Sequence, residues 1–195
     1  MSQIIRFTPK KKAREKIGII VQARMTSTRF PGKTMALLAG RPVIEHVLER
    51  ARNIRTKGNY DVETIVAVPD TPDSESILVH ADRMGISNFC GDEFNVLKRY
   101  YDCAVFFKFD YIVRVTADCP FINPKVGSEV LQLLLWRKLD YCSNIYPKRT
   151  YPQGLDIEAF TVDCLEAAYK LTNFPYDKEH VTSWMQSTKE VRKAC

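Results

Sequence analysis

Arg24, Arg29 and Lys33 fall within ten residues of one another in the stretch QARMTSTRFPGKT (residues 22–34), with Thr26, Ser27 and Thr28 between them. Three cations and three hydroxyls on one short loop suit a polyanion. Arginine offers a fork for bidentate phosphate contact, and lysine supplies a mobile point charge. A nucleoside triphosphate carries roughly three to four negative charges, so these cations together with a metal ion would balance it. A solvated basic loop is the plain alternative.

The ending Gly32-Lys33-Thr34 imitates a phosphate-binding P-loop, which needs G-x-x-x-x-G-K-[ST] between a strand and a helix. Ser27 stands where the first glycine is required, and Pro31 removes a backbone N–H from the loop that would wrap the phosphates. Gly40 and Pro42 interrupt the helix that should start at the lysine. The loop is therefore not a P-loop. No GxGxxG fingerprint occurs either, which argues against a dinucleotide oxidoreductase.

Other residues with chemical potential are carboxylates and histidines. Asp118 follows the apolar run YIVRVT and is either a Mg²⁺ ligand or a turn residue before Cys119-Pro120. Asp156 and Glu158 are two apart in an extended segment, so both side chains are expected on one face, lining a pocket or an exposed edge. Glu179 and His180 are adjacent and are read either as ligand contacts or as a helix-start pair. His46 and His80 fall in helical patterns and are read as structural.

The elements that must hold these residues alternate in type. Apolar runs at 17–23, 63–68, 86–89, 111–116 and 140–144 read as strands, and 155–160 alternates. The first is apolar on both faces except at Gln22, as a buried parallel strand requires. Helices are expected from Pro42, with Val43, Ile44, Val47, Leu48 and Ala51 on one face, and from Thr71-Pro72 to a stop at Gly85. Further helices are expected at 93–107, from Pro124 onward, and at 162–171 and 176–187. This alternation predicts one Rossmann-like three-layer α/β domain with a mostly parallel sheet and helices on both faces. In such sheets ligands bind beyond the carboxyl ends of the strands, where both the Arg24 loop and Asp118 fall.

The chain has 195 residues, enough for one α/β core, and 45% of them are hydrophobic. Five of its six net positive charges come from residues 1–16, which read as a mobile basic tail rather than a nucleic-acid surface. No apolar run approaches the ~20 residues of a membrane span, and the N-terminus lacks a signal-like apolar segment, so cytoplasm is the expected location. Six scattered cysteines without zinc spacing are expected to be free, buried thiols.

Taken together, several motifs carry a resemblance. IVQARMTSTRFPGKTMALLAGRPVIEHVLERAR (20–52) resembles the family pattern ARxxSTRLPGKxL followed by GxPxIxHVxER, with Phe30 and Met35 in place of leucines. FCGDEFNVLKRYYDCA (89–104), VRVTADCPFINP (113–124), YCSNIYPKRTYPQGLDIEAF (141–160) and EHVT (179–182) continue it. The chain thus resembles the sugar cytidylyltransferases, which make CMP-sugars from CTP, over residues 17–187. It is most similar to the branch named for spore coat polysaccharide biosynthesis protein F.

The resemblance implies the nucleotide-diphospho-sugar transferase type of fold and a CTP- and Mg²⁺-dependent reaction releasing pyrophosphate for surface polysaccharide synthesis. It implies that Arg24, Ser27, Arg29 and Lys33 hold the triphosphate, with Arg24, Lys33 and Asp118 catalytic. Gln22, Ala23, Gly91 and Asp92 would lie near the base, Asp118 would bind the metal, and Gly154, Asp156, Glu158, Glu179 and His180 would line the sugar pocket. Asn95 stands where the branch usually has Asp. Family members are often homodimers. They typically continue for a few tens of residues to a late Val-Asp pair that supplies a second metal ligand, and this sequence carries none after EHVT. Truncation of the 17–195 domain, an incomplete metal site and a substitute carboxylate are the open readings. A non-catalytic sugar-nucleotide-binding module, an enzyme using another nucleotide, and an RNA-associated protein using the basic tail are the competing functions.

Overall fold

The computed structural model describes residues 14–27 and 30–195. The expected basic tail therefore lies mostly outside the described residues, as do Thr28 and Arg29. Strand β1 (Glu15–Gln22) begins two residues before the expected domain boundary and runs through the middle of a seven-stranded sheet. Its Ile17, Ile19, Ile20 and Val21 are fully buried because helices cover both faces of the sheet. Each contributes about 1.5–3 kcal/mol relative to an exposed position. Gly18 is required by close approach: a Cβ there would lie 2.4 Å from the ring of Phe109.

A small antiparallel hairpin, β2 (Leu37–Leu38) and β3 (Arg41–Pro42), follows, then α1 (Val43–Ala51) and β4 (Tyr60–Pro69). Next come α2 (Glu75–Arg83), β5 (Ser87–Gly91), α3 (Val96–Phe107) and β6 (Tyr111–Thr116). The chain continues through α4 (Pro124–Arg137), β7 (Tyr141–Ser143), β8 (Glu158–Thr161) and α5 (Val162–Leu171). It closes with α6 (Pro175–His180), α7 (Ser183–Ser187) and β9 (Lys193–Ala194).

The sheet order is β5-β4-β1-β6-β8-β7-β9. All neighbours pair in parallel except β8, which runs antiparallel to both β6 and β7. From β1 the chain winds outward to β4 and β5, and α3 then carries it back to β6 on the other side of β1. The reversal leaves a crevice beyond the carboxyl ends of β1 and β6, the place where open α/β sheets bind ligands.

Alternation along the strands divides the core into two layers. Ile17, Ile19, Val21, Val66, Val68, Val113 and Val115 pack toward α1, α2 and α4, whereas Ile20, Ile65, Ala67 and Ile112 pack toward α3 and α5. The single helix expected at 176–187 is two, because Val181 adopts φ 64° and turns its side chain into the second layer. The extended segment at 155–160 joins the sheet only from Glu158. All six cysteines are free, but only Cys103, Cys142 and Cys164 are buried, which corrects the expectation for the other three. No helix among the described residues is long and apolar enough to cross a membrane.

Candidate active site

Gln22 pairs in register with Thr116, so the loops after β1 and β6 leave the sheet side by side. The Ala117 N–H donates to the Gln22 carbonyl (2.9 Å), and the Ala23 N–H donates to the Ala67 carbonyl (3.1 Å), extending the sheet to the rim of the crevice. Beyond Ala23 the chain folds back on itself. The Gly32 N–H donates to the Met25 carbonyl (3.0 Å), and Thr34 Oγ1 donates to the Arg24 carbonyl (2.9 Å). Gly32 has φ +70°, a conformation disfavoured for residues with a Cβ. Lys33–Met35 then form one turn of 3₁₀ helix leading into the hairpin, and the first α-helix starts only at Val43. The geometry agrees with the exclusion of a P-loop.

This folding brings Lys33 across to the β6 loop, where its Nζ lies 2.5 Å from Asp118 Oδ2. Gln22, Ala23, Arg24, Lys33, Thr34, Thr116, Ala117 and Asp118 line one cleft of about 100 Å³. A wider groove of about 490 Å³ adjoins it at Arg24 and is lined also by Thr26, Ser27, Pro31, Glu93 and Phe94. Burial opposes the charge on Asp118, but hydrogen bonds from Lys33 and Thr116 and the charge of Lys33 outweigh it and hold the carboxyl below the usual range. Burial pushes the neighbouring Cys119 thiol up, so it is not an activated nucleophile.

Gly91 ends β5 two strands from β1, and Asp92 begins the turn into α3. Asp92 Oδ1 accepts from the N–H groups of Phe94 (3.0 Å) and Asn95 (2.8 Å), so its side chain shapes the turn. Asn95 caps α3 by accepting from the Lys98 N–H (2.9 Å), a role Asn and Asp fill equally well. The turn's next residues, Glu93 and Phe94, reach the groove beside Arg24.

Of the residues expected around a sugar, Glu179 approaches the site, with its Oε1 3.9 Å from Arg24 Nη2. His180 is exposed and packs its ring against Tyr176, 4.2 Å between centroids. Gly154 sits in a turn with φ +91° and open space around it. Asp156 holds both terminal nitrogens of Arg149 and is close enough to Cys119 to raise its thiol pKa. Glu158 is corrected: it does not share an accessible face with Asp156. It is 2% exposed, pairs with Arg114, and accepts from Tyr141 Oη (2.6 Å) and Gln186 Nε2 (3.0 Å) at the start of the interior strand β8. His46 Nε2 lies 2.8 Å from the Leu38 carbonyl and His80 Nδ1 lies 2.7 Å from Glu45, structural positions for both.

Sequence reasoning missed Thr34, Thr116, Glu93 and Phe94 at these clefts. Thr116 had a signal, as the last residue of the strand before Asp118; the others depend on how loops fold back.

No group of three or more His, Cys, Asp or Glu side chains gathers for a metal among the described residues. Magnesium keeps several waters and takes one or two carboxylates together with substrate phosphates. Asp118, already holding a cationic ammonium in a cleft lined by Arg24 and Lys33, fits that donor set.

An α/β sheet with a cationic loop and a carboxylate at its switch point presents an anion-suited crevice where such folds bind ligands. A family model described as cytidylyltransferase matches residues 18–191, and the chain belongs to that family. It is therefore a nucleotidyltransferase. It is 33% identical over 170 residues to an uncharacterized protein of Methanocaldococcus jannaschii, covering 87% of this chain and 67% of that one. It is 26% identical over 172 residues to the spore coat polysaccharide biosynthesis protein SpsF of Bacillus subtilis, covering 88% of this chain and 70% of SpsF. A solved cytidylyltransferase from Leptospira borgpetersenii superposes with a TM-score of 0.83 at 31% identity, covering 92% of this chain and 75% of that one.

Proposed function

We propose that this chain transfers a cytidylyl group from CTP to a sugar hydroxyl, releasing pyrophosphate, in the cytoplasm and with Mg²⁺. The observation that carries the reading is the meeting of Lys33 and Asp118 beside Arg24, at the adjoining ends of β1 and β6. The sugar hydroxyl oxygen forms a bond to the α-phosphorus and loses its proton to solvent. As it does so, the bond from the α-phosphorus to the oxygen bridging it to the β-phosphorus breaks, and negative charge accumulates on the departing pyrophosphate. Reactions of this kind need positioning and charge stabilisation above all.

Arg24, Ser27, Arg29 and Lys33 hold the triphosphate, and Lys33 stabilises the leaving pyrophosphate. Gln22, Ala23 and the Gly91–Asp92 turn lie on the base side. Asp118 is the residue that would hold Mg²⁺, which would offset the negative charge of the phosphates. Lys33 Nζ contacts the same carboxylate, so Lys33 and a metal ion would share it. Glu179, through Arg24, and the Arg149–Asp156 pair flank the acceptor side. The likeness to a protein named for spore coat polysaccharide synthesis supports a product destined for surface polysaccharide.

The test is pyrophosphate release with CTP, UTP, ATP or GTP across a panel of sugars, with and without Mg²⁺. CTP-selective, chelator-sensitive release supports the proposal, and release indifferent to the base counts against CTP as the donor. A non-catalytic sugar-nucleotide-binding module is the second reading, favoured by the single carboxylate among the described residues that line the cleft. CTP-dependent thermal stabilisation without turnover on any sugar would support it; ligand at ~100 times its Kd adds ~2.7 kcal/mol, a readily visible shift.

A further inference from the structure

A second cleft, of about 680 Å³, lies between α4 and the loop after α1. It is lined by Arg55, Thr56, Lys57, Lys125, Gln132 and Trp136 among others, and shares no residue with either groove of the candidate active site. Its size is that of a small-molecule site, on the order of 300–1,000 Å³.

The walls are fixed before any ligand arrives. The Arg55 N–H donates to Ser128 Oγ (2.9 Å), and Ser128 Oγ donates to the Pro124 carbonyl (2.7 Å). Thr56 Oγ1 (3.1 Å) and the Lys57 N–H (3.0 Å) both donate to Gln132 Oε1. The loop is thus fastened to two turns of the helix, and the Gln132 amide nitrogen remains as a donor. Gly127 allows this approach, since a Cβ there would lie 2.7 Å from Ile54 Cδ1.

Arg55, Lys57 and Lys125 are exposed and form no salt bridge among the described residues. The Arg55 guanidinium is oriented by the carbonyls of Arg52 and Ile54, which hold only its Nη1. Glu129 is the one carboxylate in the lining, so cations exceed it three to one. Leu133 and Trp136, on the same helix as Lys125, supply an apolar wall. The indole is 74% exposed, an uncommon position for so large a ring, and the Arg137 guanidinium covers it at 5.8 Å from the centroid.

A fitting ligand must offer an anion to the lysines and arginine, a flat ring edge or face to the indole, and hydroxyls to Glu129 and Gln132. A metal ion is repelled by the excess positive charge, and an uncharged apolar ligand would make no use of the cations. We propose that this cleft binds a sugar phosphate, at a site separate from the nucleotide cleft. The phosphate lies among Arg55, Lys57 and Lys125, and the ring lies along Trp136.

The chain has two tryptophans, and Trp184 on α7 lies outside the cleft, so each indole N–H gives a separate signal. The experiment follows both by ¹⁵N-indole NMR, assigned with Trp136→Phe, in the full chain at fixed ionic strength. The probes are glucose 1-phosphate, fructose 6-phosphate and ribose 5-phosphate, with inorganic phosphate and methyl glucoside as controls. The expected result is a saturable Trp136 shift with at least one sugar phosphate, at about tenfold lower concentration than inorganic phosphate. Lys57→Ala/Lys125→Ala should weaken it by about tenfold or more, while the Trp184 signal, the melting temperature and the basal pyrophosphate release stay unchanged. The proposal is overturned by no Trp136 shift with any of the three, by an equal response to inorganic phosphate, or by an unaltered titration in the double variant.

Discussion

The ammonium of Lys33 and the carboxylate of Asp118 stand 85 residues apart in the chain and 2.5 Å apart in the folded protein. One follows β1 and the other follows β6, and only the side-by-side placement of those strands lets them meet. Lys33→Ala should lower kcat/KM for CTP by about 100-fold or more, the usual effect of removing one charge-stabilising donor. The side chain is partly exposed, so the unfolding transition should change little. Pyrophosphate release and a urea melt of the same variant check both halves, and wild-type turnover would remove Lys33 from the machinery.

The same pair sets a pH dependence. The folded-state pKa of Asp118 is lowered, so its ionised form stabilises the fold above the unfolded-state value near ~3.9. That contribution is lost as the pH falls through the lower folded-state value. Wild type should therefore exceed Asp118→Asn in stability at pH 6–7, with the gap closing toward pH 3. Urea melts of both proteins across this range test it; a constant gap would mean that Asp118 does not depend on Lys33 for its ionisation. The same substitution should also remove the Mg²⁺ dependence of CTP binding.

Glu158 belongs to the framework rather than to a pocket. It pairs with Arg114 and accepts hydrogen bonds from Tyr141 and Gln186, tying β6, β7, β8 and α7 together. Glu158→Ala leaves the Arg114 charge buried without its partner, at a cost of about 3–5 kcal/mol. Replacing both residues by apolar side chains of similar volume should recover most of the loss. Equilibrium unfolding of the single and double variants decides the point, and a loss below about 1 kcal/mol in Glu158→Ala would contradict it.

Arg99 presents the opposite balance. It is fully buried, donates once through Nη1 to the Asp92 carbonyl (3.2 Å), and has no partner for Nε and Nη2 among the described residues. Burial lowers its pKa, and Arg24 lies near enough to lower it further. Arg99→Met should therefore cost little stability or raise it, while weakening CTP binding through loss of a positive charge beneath the Glu93–Phe94 turn. Thermal melts with and without CTP separate the two effects. A large loss of stability without nucleotide would mean that the single bond to the Asp92 carbonyl outweighs the buried charge.

Much of the architecture is legible in local patterns. The strand at 111–116 and the helix at 162–171 match the observed elements, because apolar periodicity and N-terminal capping by Thr161 act over a few residues. The cationic loop and Asp118 are legible as well, since residue type and position after a strand suffice to suggest chemistry. Tertiary structure decided the rest. The antiparallel direction of β8, the pairing of β9 and the break at Val181 depend on partners tens of residues away. Asp156 and Glu158 are two residues apart in one extended segment, yet Asp156, before β8, pairs with Arg149, and Glu158, inside the sheet, is sealed against Arg114. Arg99 reads as one more helical cation until α3 packs onto the sheet and removes it from water. Side-chain type is a local property, whereas burial and charge partnership arise from the whole fold.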